Sequence, residues 1–260
     1  MPLPLAALVS AAVALAGWAA RWLTAPGALT AAAVGTAVLG GTGWVGAAAL
    51  GAFFLSASVV SRLTDRNQPI WVDAQPHRRS PSQVLANGGV ASAGGLLALV
   101  AADHSGLWIV VAGLAAAAAD TWATSLGVLS RRDPVLLTTA ARVPKGTSGG
   151  VTLIGTVGGL AGACVVAGAA WAAGAPAAVA AAGTVTGLLG MVADSVLGAT
   201  VQGRFHCPAC ALPSERRKHR CGTATRLTGG CRWVGNDGVN LLSTAFAGGA
   251  TWLWWACCCR

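Results

Sequence analysis

Apolar positions fall in blocks, at about residues 3–21, 27–42, 44–60, 84–102, 106–129, 149–173, 176–201 and 238–257. Most approach the ~20 residues that an α-helix needs to cross ~30 Å of hydrocarbon. The pattern therefore predicts about eight crossings, the second and third being the shortest. Three longer polar stretches, 61–83, 130–148 and 202–237, interrupt the blocks. When the connections are assigned to alternating sides, Arg21 and all three stretches share one side. That side holds 16 of the 17 Lys and Arg residues, with only Arg260 opposite. Basic loops stay in the cytoplasm, so both termini are expected outside. The expected fold is all-α: a polytopic transmembrane helical bundle forming one integral membrane domain over 1–260, with 202–237 as a basic, cysteine-containing cytoplasmic loop. Leu3–Ala20 has no basic residue before it, so a retained first helix is expected in preference to a cleaved signal.

Composition agrees with that solvent: 55% of residues are hydrophobic and 10% charged, and the mean hydropathy is +0.64. The net charge of +9 does not point to nucleic acid, because the basic residues flank spans where topology and anionic headgroups explain them. The expected location is a bacterial inner membrane. Fifteen arginines against two lysines, with no tyrosine, suit a GC-rich genome, which explains part of the alanine and glycine excess without function.

Three blocks that enter from the basic side begin alike: Asn87-Gly88-Gly89, Ser148-Gly149-Gly150 and Asn236-Asp237-Gly238. Asn, Ser and Asp suit an N-cap. Free amides at a helix N-terminus favour an anion, and glycine lets a ligand approach them. Three such ends are expected to converge on phosphate, although small residues at helix starts also serve close packing. The helices that return carry Asp120 and Asp194, each about two turns from the basic side. A carboxylate within an apolar helix is costly and marks a functional position by default. Segments 85–130 and 148–202 thus read as two parallel hairpins, each bearing one acid. Asp120, Asp194 and Asp237 together would suit magnesium, which prefers a few carboxylates plus substrate phosphates. Arg79, Arg142 and Lys145 are candidate phosphate clamps or, equally, topology anchors.

In the 202–237 loop, Cys207-x-x-Cys210 and His219-x-Cys221 supply four ligands at structural-zinc spacing, and a cytoplasmic location disfavours disulfides. At the other end, Cys257 to Cys259 sit beside Trp252, Trp254 and Trp255, an expected interfacial belt.

Five ordered strings carry a resemblance: Gln83-Val84-Leu85-Ala86-Asn87-Gly88-Gly89, Asp120-Thr121-Trp122-Ala123, Val143-Pro144-Lys145-Gly146-Thr147-Ser148-Gly149-Gly150-Val151, Asp194-Ser195-Val196-Leu197-Gly198-Ala199-Thr200-Val201-Gln202 and Asn236-Asp237-Gly238-Val239-Asn240. Together they resemble the domain-of-unknown-function 92 family, which includes transmembrane protein 19 and a plant phytyl-phosphate kinase. The resemblance implies phosphoryl transfer from a nucleoside triphosphate, CTP by preference, to an isoprenoid monophosphate. It implies magnesium on Asp120, Asp194 and Asp237, and charge stabilisation by Arg142 and Lys145. It also implies nucleotide contacts at Asn87, Gly88, Gly89, Gly149, Gly150, Asn236 and Asn240. Two departures stand out. The family pattern Asp-Thr-x-x-Ser-Glu-x-Gly reads here with Ser125 at the glutamate, and the segment from His77 to Ser82 lacks a glycine pair.

The principal rival is a carrier of a lipid phosphate or small anion, which paired repeats and intramembrane acids also describe. A carrier needs polar groups in the outer half of the bilayer, whereas the outward connections offer only Asp103, His104 and small residues. A cytidylyltransferase would use the same metal and nucleotide and differs only in its product. A member without enzymatic activity would leave the acids replaceable.

Overall fold

The computed structural model describes residues 1–67, 78–101 and 104–258; His77, Asp103, Cys259 and Arg260 lie outside them. Seven helical stretches account for the apolar blocks: α1 (Leu3–Ala19), α2 (Ala25–Thr64), α3 (Pro81–Val100), α4 (Ser105–Gly127), α5 (Leu153–Ala172), α6 (Ala177–Thr200) and α7 (Asn236–Cys258). The second stretch is not one rod. Gly43 breaks it with φ +62° and ψ −151°, a conformation that glycine adopts without a Cβ penalty. An unbroken helix rising about 1.5 Å per residue would set Thr24 and Phe53 about 43 Å apart. Yet the carbonyl of Arg79 accepts from the Thr24 amide at 3.1 Å, while the Arg79 guanidinium lies 5.1 Å from the Phe53 ring centre. The chain therefore turns back at Gly43, and limbs 25–42 and 44–64 match the two short blocks read from the sequence.

Among the described residues, five helices (α2 to α6) are long and apolar enough to cross a membrane. The fold is an all-α polytopic bundle. Its centre is α4, which packs against α2, α3, α5, α6 and α7. Ala115 to Ala119 are all essentially inaccessible, and such small side chains allow neighbouring backbones to approach closely, the main source of cohesion where lipid removes the hydrophobic drive. A Cβ placed on Gly162 of α5 would lie 2.9 Å from the Ala118 carbonyl, and one on Gly187 of α6 would lie 2.8 Å from the Ala115 Cβ.

Two small antiparallel sheets sit in the loops. β1 (Val135–Leu136) pairs with β2 (Gly150–Val151), and β3 (Arg204–Cys207) lies between β4 (Leu212–Ser214) and β5 (Arg226–Gly229).

The expected set of three similar helix starts is corrected by the structure. Only Asn236 begins a helix. The third helix starts six residues before Asn87, at Pro81, because Ser80 and Gln83 form a reciprocal capping box and proline suits the first helical turn. Gly88 and Gly89 are consequently helix interior. Ser148-Gly149-Gly150 precedes α5, which Thr152 caps by accepting from the Gly155 amide at 3.0 Å.

Candidate functional site

The longer loops and the adjoining helix ends enclose a cavity of about 1510 Å³. Its position follows from the hairpin geometry. α4 and α6 both run toward the loops, and each carries its acid two turns before its end, Asp120 ahead of Gly127 and Asp194 ahead of Thr200. The two helices pack side by side, so the equivalent acids meet: the carboxyl groups of Asp120 and Asp194 lie close enough to interact directly. Two carboxylates so close repel unless a proton or a cation lies between them.

α7 completes this arrangement from the third side. Ser243 Oγ donates to Asp194 Oδ2 at 3.0 Å. The amide nitrogen of Asn240, turned toward Asp194, donates to the same oxygen at 3.2 Å and to the Asn236 carbonyl at 3.2 Å. Asn87 of α3 lines the same space, and its own amide nitrogen donates to the Gln83 carbonyl at 2.9 Å. Donors converging on one carboxylate oxygen fix its orientation.

Cationic side chains share the lining with these acids. Arg62, Arg66, Arg78, Arg79, Lys145 and Arg220 all line the cavity. Arg79 is the most constrained. Its guanidinium lies 5.1 Å from the Phe53 ring centre and 5.3 Å from that of Phe54, an aromatic backing that suits arginine better than lysine. Burial lowers its pKa to about 10, which leaves it protonated at physiological pH, and among the described residues no carboxylate pairs with it. Lys145 Nζ donates to the Val128 carbonyl at 3.2 Å, an interaction that satisfies the end of α4 and holds the ammonium at the rim.

Of the residues singled out from the sequence, the structure brings Asn87, Asp120, Lys145, Gly149, Gly150, Asp194, Asn236, Asp237 and Asn240 to this one cavity. Three do not line it. Arg142 is exposed and bridges Val135 in the loop. Gly88 packs toward Val34 and Gly89 toward Leu241, where each admits a neighbouring helix. Asp237 shares the cavity, but Asp120, Asp194 and Asp237 do not form one compact cluster among the described residues. The reason is depth: Asp237 lies in the first turn of α7, one turn closer to the loops than Asn240, which meets Asp194.

Gly149 also has a packing role. Its φ is +81°, and a Cβ there would lie 2.5 Å from both Ala199 N and Ser195 O. It lets the loop lie directly against α6, while Ser148 Oγ donates to Gln202 Oε1 at 2.8 Å. Ser125, at the position where the family pattern carries glutamate, is 5% exposed and lies 3.3 Å from Ser61 Oγ. It lines the cavity as a neutral group.

Sequence reasoning missed Ser243, Arg220 and Glu215. Ser243 was within reach, since Asn236, Asn240 and Ser243 fall at helical spacing on one face. Arg220 and Glu215 arrive only through the fold of their loop.

That loop also gathers the four zinc-spaced ligands. Cys207, Cys210, His219 and Cys221 form the only group of three or more metal-capable side chains drawn together among the described residues, with ligand atoms all within 4.8 Å of one another. Hydrogen bonding with Thr223 and His219 lowers the Cys221 thiol to about 5, while hydrogen bonding with Cys221 raises Cys210 to about 11.

Comparison with known proteins agrees with the bundle. The sequence profile of the family described as "Integral membrane protein DUF92" matches residues 8–248. An uncharacterized membrane protein of Methanocaldococcus jannaschii is 36% identical over 121 residues, covering 46% of this chain and 50% of its own length. "Protein PGR" of Arabidopsis thaliana is 30% identical over 225 residues, covering 74% of this chain and 75% of that protein. An uncharacterized membrane protein of Synechocystis is 27% identical over 179 residues, with 66% of this chain and 69% of that protein covered. The chain thus spans half the length of the archaeal relative and more of the other two. No solved structure matches.

Proposed function

Because the chain belongs to the DUF92 family of integral membrane proteins, we propose that its polar cavity transfers the γ-phosphoryl group of a nucleoside triphosphate, CTP by preference, to an isoprenoid monophosphate. The observation that carries this reading is the pair Asp120 and Asp194 inside a cavity that several arginines and Lys145 also line. A hard divalent cation favours such a carboxylate pair, completed by substrate phosphates, over a full protein cage. The donor set therefore fits magnesium, with Asp120 and Asp194 as ligands and Asp237 reaching the same space from α7. Bound there, the ion supplies charge neutralisation at the triphosphate.

The chain's own side chains do the rest by position and charge. Ser243 and Asn240 fix Asp194. Arg79, desolvated and backed by Phe53 and Phe54, and Lys145 present positive charge to phosphate oxygens. An oxygen of the acceptor monophosphate forms the new bond to the γ-phosphorus, the bond to the bridging oxygen breaks, and a nucleoside diphosphate leaves. The acceptor is already an anion, so the reaction requires no strong base. That suits a site whose acids are committed to the pair. The loops that form the wall hold most of the basic residues, which supports a cytoplasmic orientation for this end, in a bacterial inner membrane with both termini outside.

Carrier function receives less support. Beyond Asp120, Ala115 to Ala119 of α4 are all essentially inaccessible, so that stretch of the central helix offers no polar side chain to a passing anion.

Product analysis tests the reading. Membranes containing the protein are incubated with geranylgeranyl or phytyl monophosphate, magnesium, and CTP or ATP labelled at either the α or the γ phosphorus. Label from the γ position in a lipid diphosphate is the expected result. Label from the α position in a cytidylylated lipid would replace the kinase reading with a cytidylyltransferase, and no labelled lipid with any donor would contradict both.

A further inference from the structure

The cysteine-rich loop carries a second set of chemical groups that phosphoryl transfer does not use. Cys207 closes β3, Cys210 lies in the turn to β4, and His219 and Cys221 lie between β4 and β5. Cys207 Sγ and Cys221 Sγ are 3.6 Å apart, and His219 Nδ1 is 3.2 Å from Cys221 Sγ. A disulfide would hold two sulfurs at about 2.05 Å. Sulfurs at two corners of a tetrahedron with metal–sulfur bonds of about 2.3 Å sit about 3.8 Å apart, and a sulfur and an imidazole nitrogen about 3.6 Å apart. The sulfur–sulfur spacing lies near the tetrahedral value and far from a disulfide, and the nitrogen–sulfur spacing is somewhat shorter than the tetrahedral one. Cys207 is wholly inaccessible and His219 is 3% exposed, and four protein ligands fill a tetrahedron without leaving a position for substrate.

We propose that Cys207, Cys210, His219 and Cys221 bind one structural zinc ion, which staples the 202–237 loop into a cap that presents Arg220 and Glu215 to the cavity. The loop has little apolar packing to hold it. Its strands are three or four residues long, Phe205 is its principal buried apolar side chain, and Arg216, Arg217, Lys218 and Arg220 crowd like charges into one turn. A small unit of this kind gains its folding energy from the metal. Arg220 sits between two ligands, so its backbone is fixed by the centre itself, and both Arg220 and Glu215 line the cavity.

The staple also reaches the helices. Gly203 N donates to the Val234 carbonyl at 2.8 Å, and Cys231 N to the Val201 carbonyl at 2.8 Å. These bonds tie the end of α6 to the approach to α7, the helices that carry Asp194 and Asn240.

The test uses the full-length protein, purified in detergent without chelator, and reads metal and loop order instead of activity. Metal analysis should find about one zinc per chain, and cobalt exchanged into the site should show thiolate charge-transfer absorption. Zinc content should fall at least tenfold in the Cys207→Ser, Cys210→Ser double variant and stay unchanged in Cys231→Ser, a cysteine of the same loop outside the cluster. Stripping the metal should speed tryptic cleavage within 215–226 at least tenfold, and zinc should restore protection. Wild-type protein with neither zinc nor a cobalt signal would overturn the site, whatever the variants do. Bound zinc with cleavage indifferent to its removal would overturn the cap.

Discussion

The role assigned to Gly149 is open to a quantitative test. Replacing it with alanine forces an L-residue to φ +81°, which costs about 1–2 kcal/mol. The new methyl group would also lie 2.5 Å from two backbone atoms of α6, Ala199 N and Ser195 O. Neither can yield without moving the helix, and overpacking of this kind costs about 1–3 kcal/mol. Gly149→Ala is therefore expected to lose about 2–5 kcal/mol of stability, measured by detergent-denaturant unfolding of the purified protein. Gly168→Ala provides the control. Gly168 lies within α5, and a Cβ added there would meet nothing within 4 Å, so the change should be neutral or stabilising by up to ~1 kcal/mol. A Gly149→Ala protein as stable as the wild type, with only nucleotide affinity reduced, would refute the packing argument and return Gly149 to a phosphate cradle.

Three further outcomes follow from the site. Ser243→Ala removes one of two donors to Asp194 Oδ2, and the loss of a hydrogen bond to a charged group, about 1.5–3 kcal/mol, should lower the transfer rate at least tenfold with the bundle still folded. Arg79→Lys keeps the charge but loses the planar contact with Phe53 and Phe54; KM for a phosphate substrate should rise about tenfold with little change in kcat. Arg142→Ala should leave transfer and KM unchanged in the same assay, because Arg142 is exposed and away from the cavity.

Much of the fold was legible because a bilayer imposes length and polarity on every span. The pair 27–42 and 44–60 was separable because together they far exceed one crossing and Thr42-Gly43 divides them, and the structure turns the chain there. What misled was the repeated Asn/Ser-Gly-Gly string. At 87–89 it lies inside α3, since Ser80-Pro81 with Gln83 supplies a stronger start just ahead of the apolar block, and at 148–150 Thr152 takes the capping role. Asp120 and Asp194 were recognisable as acids in apolar helices at matching depth, and their meeting follows from the hairpins packing side by side. The cysteine cluster was readable from spacing alone. The cations were legible in part: charge placed them on one side and singled out Arg79 and Lys145, but these, with Arg62 and Arg220, come from three separate stretches, and only the packing of helix ends brings them to one space.

The central claim is that the carboxylate pair is the transfer site, and the most direct measurement compares wild type with Asp194→Asn and Asp120→Asn in magnesium-dependent transfer from γ-labelled CTP or ATP to geranylgeranyl monophosphate. The substitutions preserve side-chain size while removing charge. Labelled diphosphate from the wild type, reduced at least a hundredfold in both variants with unfolding behaviour unchanged, is the expected result. Variants that form diphosphate as fast as the wild type would contradict the claim and leave Asp120 and Asp194 as a structural pair.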